Sequence, residues 1–407
     1  MTDLFSKCRG FLSDPSVAER MGYPTNPQRA REMGLYPYFI PLDETEGTEV
    51  SIGGRRLIML GSNNYLGLTT EPHVRNAAIE AIRTYGTSCT GSRFLNGTLA
   101  LHHELEARLA RFVDKPKALV FSTGYQANLG VLSALIGRSD ILVCDKEDHA
   151  SLIDGARLSL GRLVRFHHND LDDLDRVLAG CSQDAGILVA VDGVFSMSGE
   201  IAPLPELIAV CRRHGARLLV DDAHGLGVVG RGRGTAAHFG TTEDVDLIVG
   251  TFSKSFASIG GFVAGDEATI NWIQHLARSL IFSASLPAPN VAAALAALDV
   301  MEREPERVDR VNEIAARMRE AYREMGFDIG HSETPVIPIC IGDSLEAMRA
   351  WRALFDAGVY VNVAISPAVP AGQALLRTSY MATHTDEQMD RVLDVFADVG
   401  RKLHLIS

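Results

Sequence analysis

The sequence predicts an α/β fold on a mainly parallel, seven-stranded central sheet, with a smaller α/β domain at its C-terminal end. Three observations predict it. Between about residues 70 and 300, short β-rich apolar runs alternate with helical stretches, the order that parallel strands joined by crossover helices require. Several of those runs are apolar on consecutive positions rather than alternating, which suits strands covered on both faces. The chain has 407 residues, 46% hydrophobic and 22% charged, enough for a large core and two or three domains of roughly 100–200 residues each.

Residues 1–60 read as irregular, because Pro15, Pro24, Pro27, Pro37 and Pro41 interrupt every helical pattern there. The strands follow as ALVF (118–121), ILVC (141–144), LVRF (163–166), ILVAVDG (187–193), RLLVDD (217–222), DLIVGTF (246–252) and GGFVAG (260–265). Helical stretches such as LHHELEARLARFV (101–113) and LPELIAVCRRHG (204–215) separate most of them. An Ala- and Arg-rich helical stretch over about 290–330 is interrupted at Pro305. Beyond it come VIPICI (336–341), a helix near 344–357, YVNV (360–363) and LLRTSYM (375–381). The expected organisation is an N-terminal segment (1–60), a large domain (61–290) and a small C-terminal domain (291–407). No internal repeat stands out.

Thirty-nine Lys and Arg against 51 Asp and Glu leave a net charge of −12. A surface built to neutralise a nucleic-acid backbone needs the opposite balance, so nucleic acid is not an expected partner. Single phosphate groups stay compatible, since backbone amides hold them without net charge. The cysteines at 8, 89, 144, 181, 211 and 340 form no CxxC and no Cys/His cluster, so neither a metal site nor a disulfide framework is expected. The start, MTDLFSKCRG, lacks the apolar run of a signal peptide. The apolar stretch VAAALAAL (291–298) falls far short of the ~20 residues of a membrane span. The expected setting is the cytoplasm, with no transmembrane segment and with peripheral membrane contact left open.

Chemistry concentrates at strand ends. Lys254, in Gly250-Thr251-Phe252-Ser253-Lys254-Ser255, follows a buried strand between small hydroxyl residues. Most loop lysines are merely solvated; here the sharper reading is a Schiff-base lysine for pyridoxal phosphate, with Thr251 and Ser253 beside the phosphate. Asp221, in Val220-Asp221-Asp222-Ala223-His224-Gly225, ends another strand. A carboxylate there is often a helix cap, but pyridoxal chemistry needs one on the pyridinium nitrogen so that the ring accepts electrons from Cα. Asp221 precedes Lys254 by 33 residues, about one strand–helix–strand unit, so adjacent strand ends bring both to one cofactor. His224 is within reach of the phenolic oxygen. Phe121-Ser122-Thr123-Gly124-Tyr125-Gln126-Ala127-Asn128 reads as a strand followed by a helix start, whose free N–H groups face an anion where Gly124 permits close approach. His149, in Asp148-His149-Ala150-Ser151, can stack on the pyridine face, and Ser196, in Phe195-Ser196-Met197-Ser198-Gly199, is a further candidate for the phenolic oxygen.

In this order, Thr-Gly-Tyr, Asp-His-Ala-Ser, Phe-Ser-Met-Ser-Gly, Asp-Asp-Ala-His-Gly and Thr-Phe-Ser-Lys, the chain resembles the α-oxoamine synthase family of fold-type I pyridoxal-phosphate enzymes. The resemblance runs from about residue 35 to the C-terminus and includes Gly61-Ser62-Asn63-Asn64-Tyr65-Leu66-Gly67, Ser92-Arg93-Phe94-Leu95-Asn96-Gly97-Thr98 and Arg377-Thr378-Ser379. It implies a decarboxylative condensation of a small amino acid with an acyl-CoA. Lys254 would hold the cofactor, Asp221 would pair with the ring nitrogen, and His224 and Ser196 would address the phenolic oxygen. His149 would stack on the ring, while Gly124, Tyr125, Thr251 and Ser253 would contact the phosphate. The resemblance also implies a homodimer with shared sites, in which Ser283 reaches the phosphate of the other subunit. Arg377, assisted by Asn64, would bind the substrate carboxylate by a fork-to-fork pairing that lysine cannot reproduce.

Within the family, residues 92–98 and 121–125 look most like the soluble bacterial branch that joins L-serine to palmitoyl-CoA, giving 3-ketodihydrosphingosine, CoA and carbon dioxide. One departure stands out: members of that branch can carry an arginine facing the serine carboxylate where Ile365 stands here. The alternatives are the glycine C-acetyltransferase and 8-amino-7-oxononanoate synthase branches. From other classes come an aminotransferase or lyase of the same fold, and a binding module with an idle cofactor site.

Overall fold

The computed structural model describes residues 3–182 and 184–406. In it two of the five N-terminal prolines start helices instead of breaking them, while Pro24, Pro37 and Pro41 lie outside helices. Pro15 opens the helix Pro15–Arg20 and Pro27 opens Pro27–Glu32. Proline is well placed at a first helical position, where its missing N–H would be unbonded anyway and its φ is already helical. Asp14 and Asn26 cap these helices, accepting from Ser16 N at 2.9 Å and Arg29 N at 2.8 Å. A helix Ser6–Ser13 precedes them, and strands Glu44–Glu46, Glu49–Ile52 and Arg55–Met59 follow. The expectation of an irregular segment over 1–60 is therefore corrected.

The chain divides into two compact units. One contains Asn63–Ser196 and Glu200–Val311; the other joins the stretch up to Ser62, Met197–Gly199 and the chain from Asn312 onward. The units do not follow the three segments read from the sequence. Residues 291–311 go with the large unit, where the helix Ala288–Arg303 is buried along most of its length. The N-terminal segment goes with the C-terminal one.

Among the described residues the large unit holds seven strands: β1 (Lys117–Phe121), β2 (Ile141–Asp145), β3 (Arg162–Phe166), β4 (Ile187–Asp192), β5 (Arg217–Asp221), β6 (Leu247–Thr251) and β7 (Gly261–Gly265). Their order across the sheet is β1-β7-β6-β5-β4-β2-β3. Neighbours are parallel except β7, which runs antiparallel to both β1 and β6. The consecutive apolar runs are explained by burial: β2 and β6 are buried at every position. Because β2, β4, β5 and β6 point the same way, their C-terminal ends, and the loops after them, gather along one edge of the sheet. Ligands of open α/β sheets bind at such edges.

In the small unit, Val336–Gly342, Ala374–Ser379 and Asn362–Ala364 form an antiparallel sheet. The run read as one strand over 360–363 is two: Val359–Tyr360 pairs parallel with Arg55–Met59, while Asn362–Ala364 turns to the other sheet. Leu57, Leu60, Met318, Tyr322, Ile337, Trp351 and Phe396 share its core. The helices Ala288–Arg303 and Glu306–Met325 are separated at Pro305, as the sequence suggests.

Candidate active site

Gly124, Tyr125, His149, Asp221, His224, Thr251, Ser253 and Lys254 all line one cavity of about 290 Å³ in the large unit. They come from four places in the chain. Gly124 and Tyr125 open the helix Gly124–Leu135 after β1, and His149 caps the helix Ala150–Leu158 after β2. Asp221 ends β5 and Thr251 ends β6.

Asp221 is buried, and its carboxylate is held from two sides. Asn128 Nδ2 donates to Oδ2 at 2.6 Å, and the Ala223 N–H to Oδ1 at 3.1 Å. The neighbouring Asp222 faces elsewhere, accepting from Thr235 N and Thr235 Oγ1 at 2.6 Å each. Burial pushes its pKa up to about 6, against the pull of those two donors. Of the two adjacent aspartates, only Asp221 meets the cavity.

From Asp221 a hydrogen-bonded chain runs to His149. Asn128 Nδ2 also donates to Ser151 Oγ at 2.8 Å, and Ser151 Oγ lies 2.7 Å from His149 Nδ1. The Ser151 N–H points at the same Nδ1, at 3.2 Å. With its hydroxyl oxygen occupied by Asn128, Ser151 donates to Nδ1, so the network assigns the His149 proton to Nε2. Burial holds the His149 pKa below its ordinary value, as does the charge of Lys254, with Asp221 opposing. A neutral, flat imidazole results. His224 is fixed differently: its Nδ1 lies 2.7 Å from the hydroxyl of the fully buried Tyr65.

The first turn of the helix Gly124–Leu135 carries backbone N–H groups that its own carbonyls cannot satisfy. Thr123 caps one, accepting from Gln126 N at 3.0 Å. Glycine is required at 124, because a Cβ there would lie 2.8 Å from Thr251 Cβ. Thr251 Oγ1 and Ser253 Oγ stand 2.9 Å apart beside this turn.

These residues fit pyridoxal phosphate. The hydroxyl pair beside a helix start suits the phosphate, a held carboxylate suits the ring nitrogen, and a lysine is present for the aldehyde. Two buried acceptors on the cavity wall, Asn128 Oδ1 and Asp192 Oδ1, have no hydrogen-bond partner among the described residues, as expected of a wall that meets a polar ligand.

Four expected residues lie outside this lining. Ser196 follows β4 beyond the lining residue Val194. Asn64 is buried, with Nδ2 donating to Thr69 Oγ1 at 2.9 Å. Ser283 Oγ accepts from Gln126 Nε2 at 3.1 Å. Arg377 belongs to the small unit, buried, with Nη1 donating to Ser379 Oγ at 2.7 Å. Conversely, Asn128, Ser151, Tyr65 and Asp192 carry the site and were not among the candidates. Asn128 was detectable, since it stands one helical turn after Gly124 and so shares its face.

A model of the family described as aminotransferase class I and II matches residues 55–396. The chain is 45% identical over 397 residues to serine palmitoyltransferase from Sphingobacterium spiritivorum, covering 97% of this chain and 100% of that one. It is 43% identical over 382 residues to 8-amino-7-oxononanoate synthase from Geobacter sulfurreducens, covering 93% and 98%. The structure of Sphingomonas wittichii serine palmitoyltransferase superposes with a TM-score of 0.94 at 40% identity, over 100% of both chains. A lysine, a held carboxylate and a neutral histidine around one cavity are thus found in a chain similar along almost its whole length to these proteins, and the chain belongs to the α-oxoamine synthase family of fold-type I pyridoxal-phosphate enzymes.

Proposed function

We propose that the protein is a pyridoxal-phosphate-dependent acyltransferase that condenses L-serine with palmitoyl-CoA, releasing CoA, carbon dioxide and 3-ketodihydrosphingosine. The observation that carries this reading is the cavity joining Lys254, Asp221 and His149 in a chain 45% identical to a serine palmitoyltransferase. A second reading, 8-amino-7-oxononanoate synthase, is favoured by the 43% identity to that enzyme and uses the same chemistry on other substrates.

Bound pyridoxal phosphate supplies an electron sink for the pair left on the amino acid's Cα. The chain's own residues do the rest. Lys254 Nζ holds the cofactor and, once displaced by the substrate amine, takes the Cα proton. Asp221 would turn its carboxyl toward the ring nitrogen, held in place by Asn128 and the Ala223 N–H. His149 lays a neutral ring on the cofactor face, and His224, backed by Tyr65, addresses the phenolic oxygen together with Ser196. Gly124, Tyr125, Thr251 and Ser253 take the phosphate. Arg377, with Asn64, takes the substrate carboxylate. The substrate Cα then bonds to the thioester carbonyl carbon as the carbon–sulfur bond breaks and CoA leaves as its thiolate, the carboxylate departs as carbon dioxide, and Lys254 returns its proton to the electron pair left on Cα.

The proposal includes a homodimer in which Ser283 serves the neighbouring site, and a cytoplasmic location. Among the described residues no helix is long and apolar enough to cross a membrane. The deciding experiment is a matrix of amino acids against acyl-CoA thioesters, following thiol release. Turnover of serine with long-chain thioesters supports the first reading, and turnover of glycine or alanine with other thioesters replaces it. Borohydride reduction should fix the cofactor on the peptide containing Lys254, and covalent labelling that survives Lys254→Ala would remove that residue from its role.

A further inference from the structure

Asp192 and Asp221 are partners in register on the adjacent parallel strands β4 and β5, each the last residue of its strand. Both line the same cavity. Their surroundings differ. Asp221 accepts the two hydrogen bonds already described, whereas Asp192, only 3% exposed, has an Oδ1 with no partner among the described residues. The backbone under Asp192 is tied down: its N–H donates to Asp148 Oδ1 at 2.9 Å, and Asp148 Oδ2 accepts from Asp145 N at 2.8 Å. Asp148 thus braces the ends of β2 and β4, and Asp192 presents its carboxyl from a rigid position.

Two neighbouring carboxyl groups in a water-poor cavity cannot both ionise, and the charge settles where the donors are. Asp221 has two donors, Asn128 Nδ2 and the Ala223 N–H, against one for Asp192, the His149 N–H. We propose that Asp192 is a second carboxyl of the cofactor site, a positioning residue that carries a proton beside Asp221 and turns its unpartnered oxygen to the bound cofactor, while Asp221 faces the ring nitrogen. This deepens the reading above and rests on it for the identity of the ligand. The groups facing Asp192 agree. Burial pushes its pKa well above the carboxylate range, Asp221 on β5 and Asp145 at the end of β2 push the same way, and the His149 N–H and Lys254 oppose. Asp148, itself buried beside Asp192 and Asp145, is also driven toward its neutral form.

The test uses the full-length protein as Asp192→Asn, Asp192→Ala and Asp221→Asn, with and without pyridoxal phosphate. Infrared difference spectra of wild type minus Asp192→Asn should show a protonated-carboxyl stretch at neutral pH in the cofactor-free protein. That band decides the place of the proton even if the protein takes no pyridoxal phosphate, an outcome that would instead sink the functional reading. For the loaded protein, Asn is a neutral isostere of the acid. Asp192→Asn should therefore keep the wild-type pH profile of cofactor absorbance, while Asp221→Asn shifts it. Asp192→Ala should weaken pyridoxal phosphate binding about tenfold, the scale of one lost hydrogen bond in a buried site. The proposal is overturned if the infrared band is absent, if Asp192→Asn displaces the pH profile as Asp221→Asn does, or if Asp192→Ala binds the cofactor like wild type.

Discussion

Arg377 and Ile365 are the two single side chains on which the proposed binding of the substrate carboxylate turns. Arg377 is buried, and its guanidinium geometry is already set by Ser379. Arg377→Lys should raise the KM for the amino acid by the equivalent of about 2 kcal/mol, the scale of a charge-assisted pair with one partner left unsatisfied. Cofactor absorbance should not change, because the proposed cofactor contacts lie on other segments; an unchanged KM would move the carboxylate site elsewhere. Ile365 is 3% exposed in the core of the small unit and lines an apolar cavity of about 460 Å³ with Phe11, Tyr23, Tyr36 and Met348. An arginine introduced there meets apolar walls, so Ile365→Arg should destabilise the protein by on the order of 3 kcal/mol, measured by denaturant unfolding. A stable Ile365→Arg variant with tighter serine binding would show that the loop can turn its side chain outward.

At the scale of the element, the helix Gly124–Leu135 must start against β6 with nothing between. Gly261 imposes the same closeness from β7, where an added Cβ would lie 2.5 Å from Gly124 Cα. Gly124→Ala should cost about 1–3 kcal/mol of stability through overpacking. It should also weaken pyridoxal phosphate binding, since the added methyl pushes the first-turn N–H groups away from the Thr251 and Ser253 hydroxyls. Calorimetry for stability and equilibrium dialysis for the cofactor read the two effects separately. If stability falls and affinity does not, the helix start is not the phosphate site.

For the whole molecule, charge and assembly carry the predictions. His168 lies between Asp145 at 3.0 Å and Glu200 at 3.1 Å. Burial lowers its pKa, but those carboxylates outweigh burial and hold it at about 10, against an ordinary 6.5. A raised pKa means the folded state binds the proton more tightly. The contribution to stability is therefore complete below pH 6.5 and is lost as pH rises through about 10. The difference in unfolding free energy between wild type and His168→Asn should shrink across that window; a difference that grows with pH would show His168 to be neutral in the fold. The proposed homodimer is supported by Phe94, Leu95 and Phe282, large apolar side chains that are 57%, 78% and 73% exposed, the last beside Ser283. Sedimentation should give twice the chain mass, and a fully active monomer would rule out shared sites.

The central sheet was legible because its strands are buried on both faces and so spell continuous apolar runs, as in ILVC and LIVGT. Lys254, Asp221 and His149 were legible because each follows such a run and is of a type that does chemistry. The N-terminal helices were not, since a proline that breaks a helix and one that starts it are the same letter; only the capping side chains of Asp14 and Asn26 tell them apart. Nor could the sequence reveal that the N-terminal stretch packs in one core with residues beyond 312, because that pairing is made across most of the chain. Asn128, Ser151 and Tyr65 are common neutral residues that acquire a task only from what faces them. Asp192 shows the limit most sharply. Its letter says carboxylate, and whether it holds a proton is decided by burial and by the carboxyl groups that folding sets beside it.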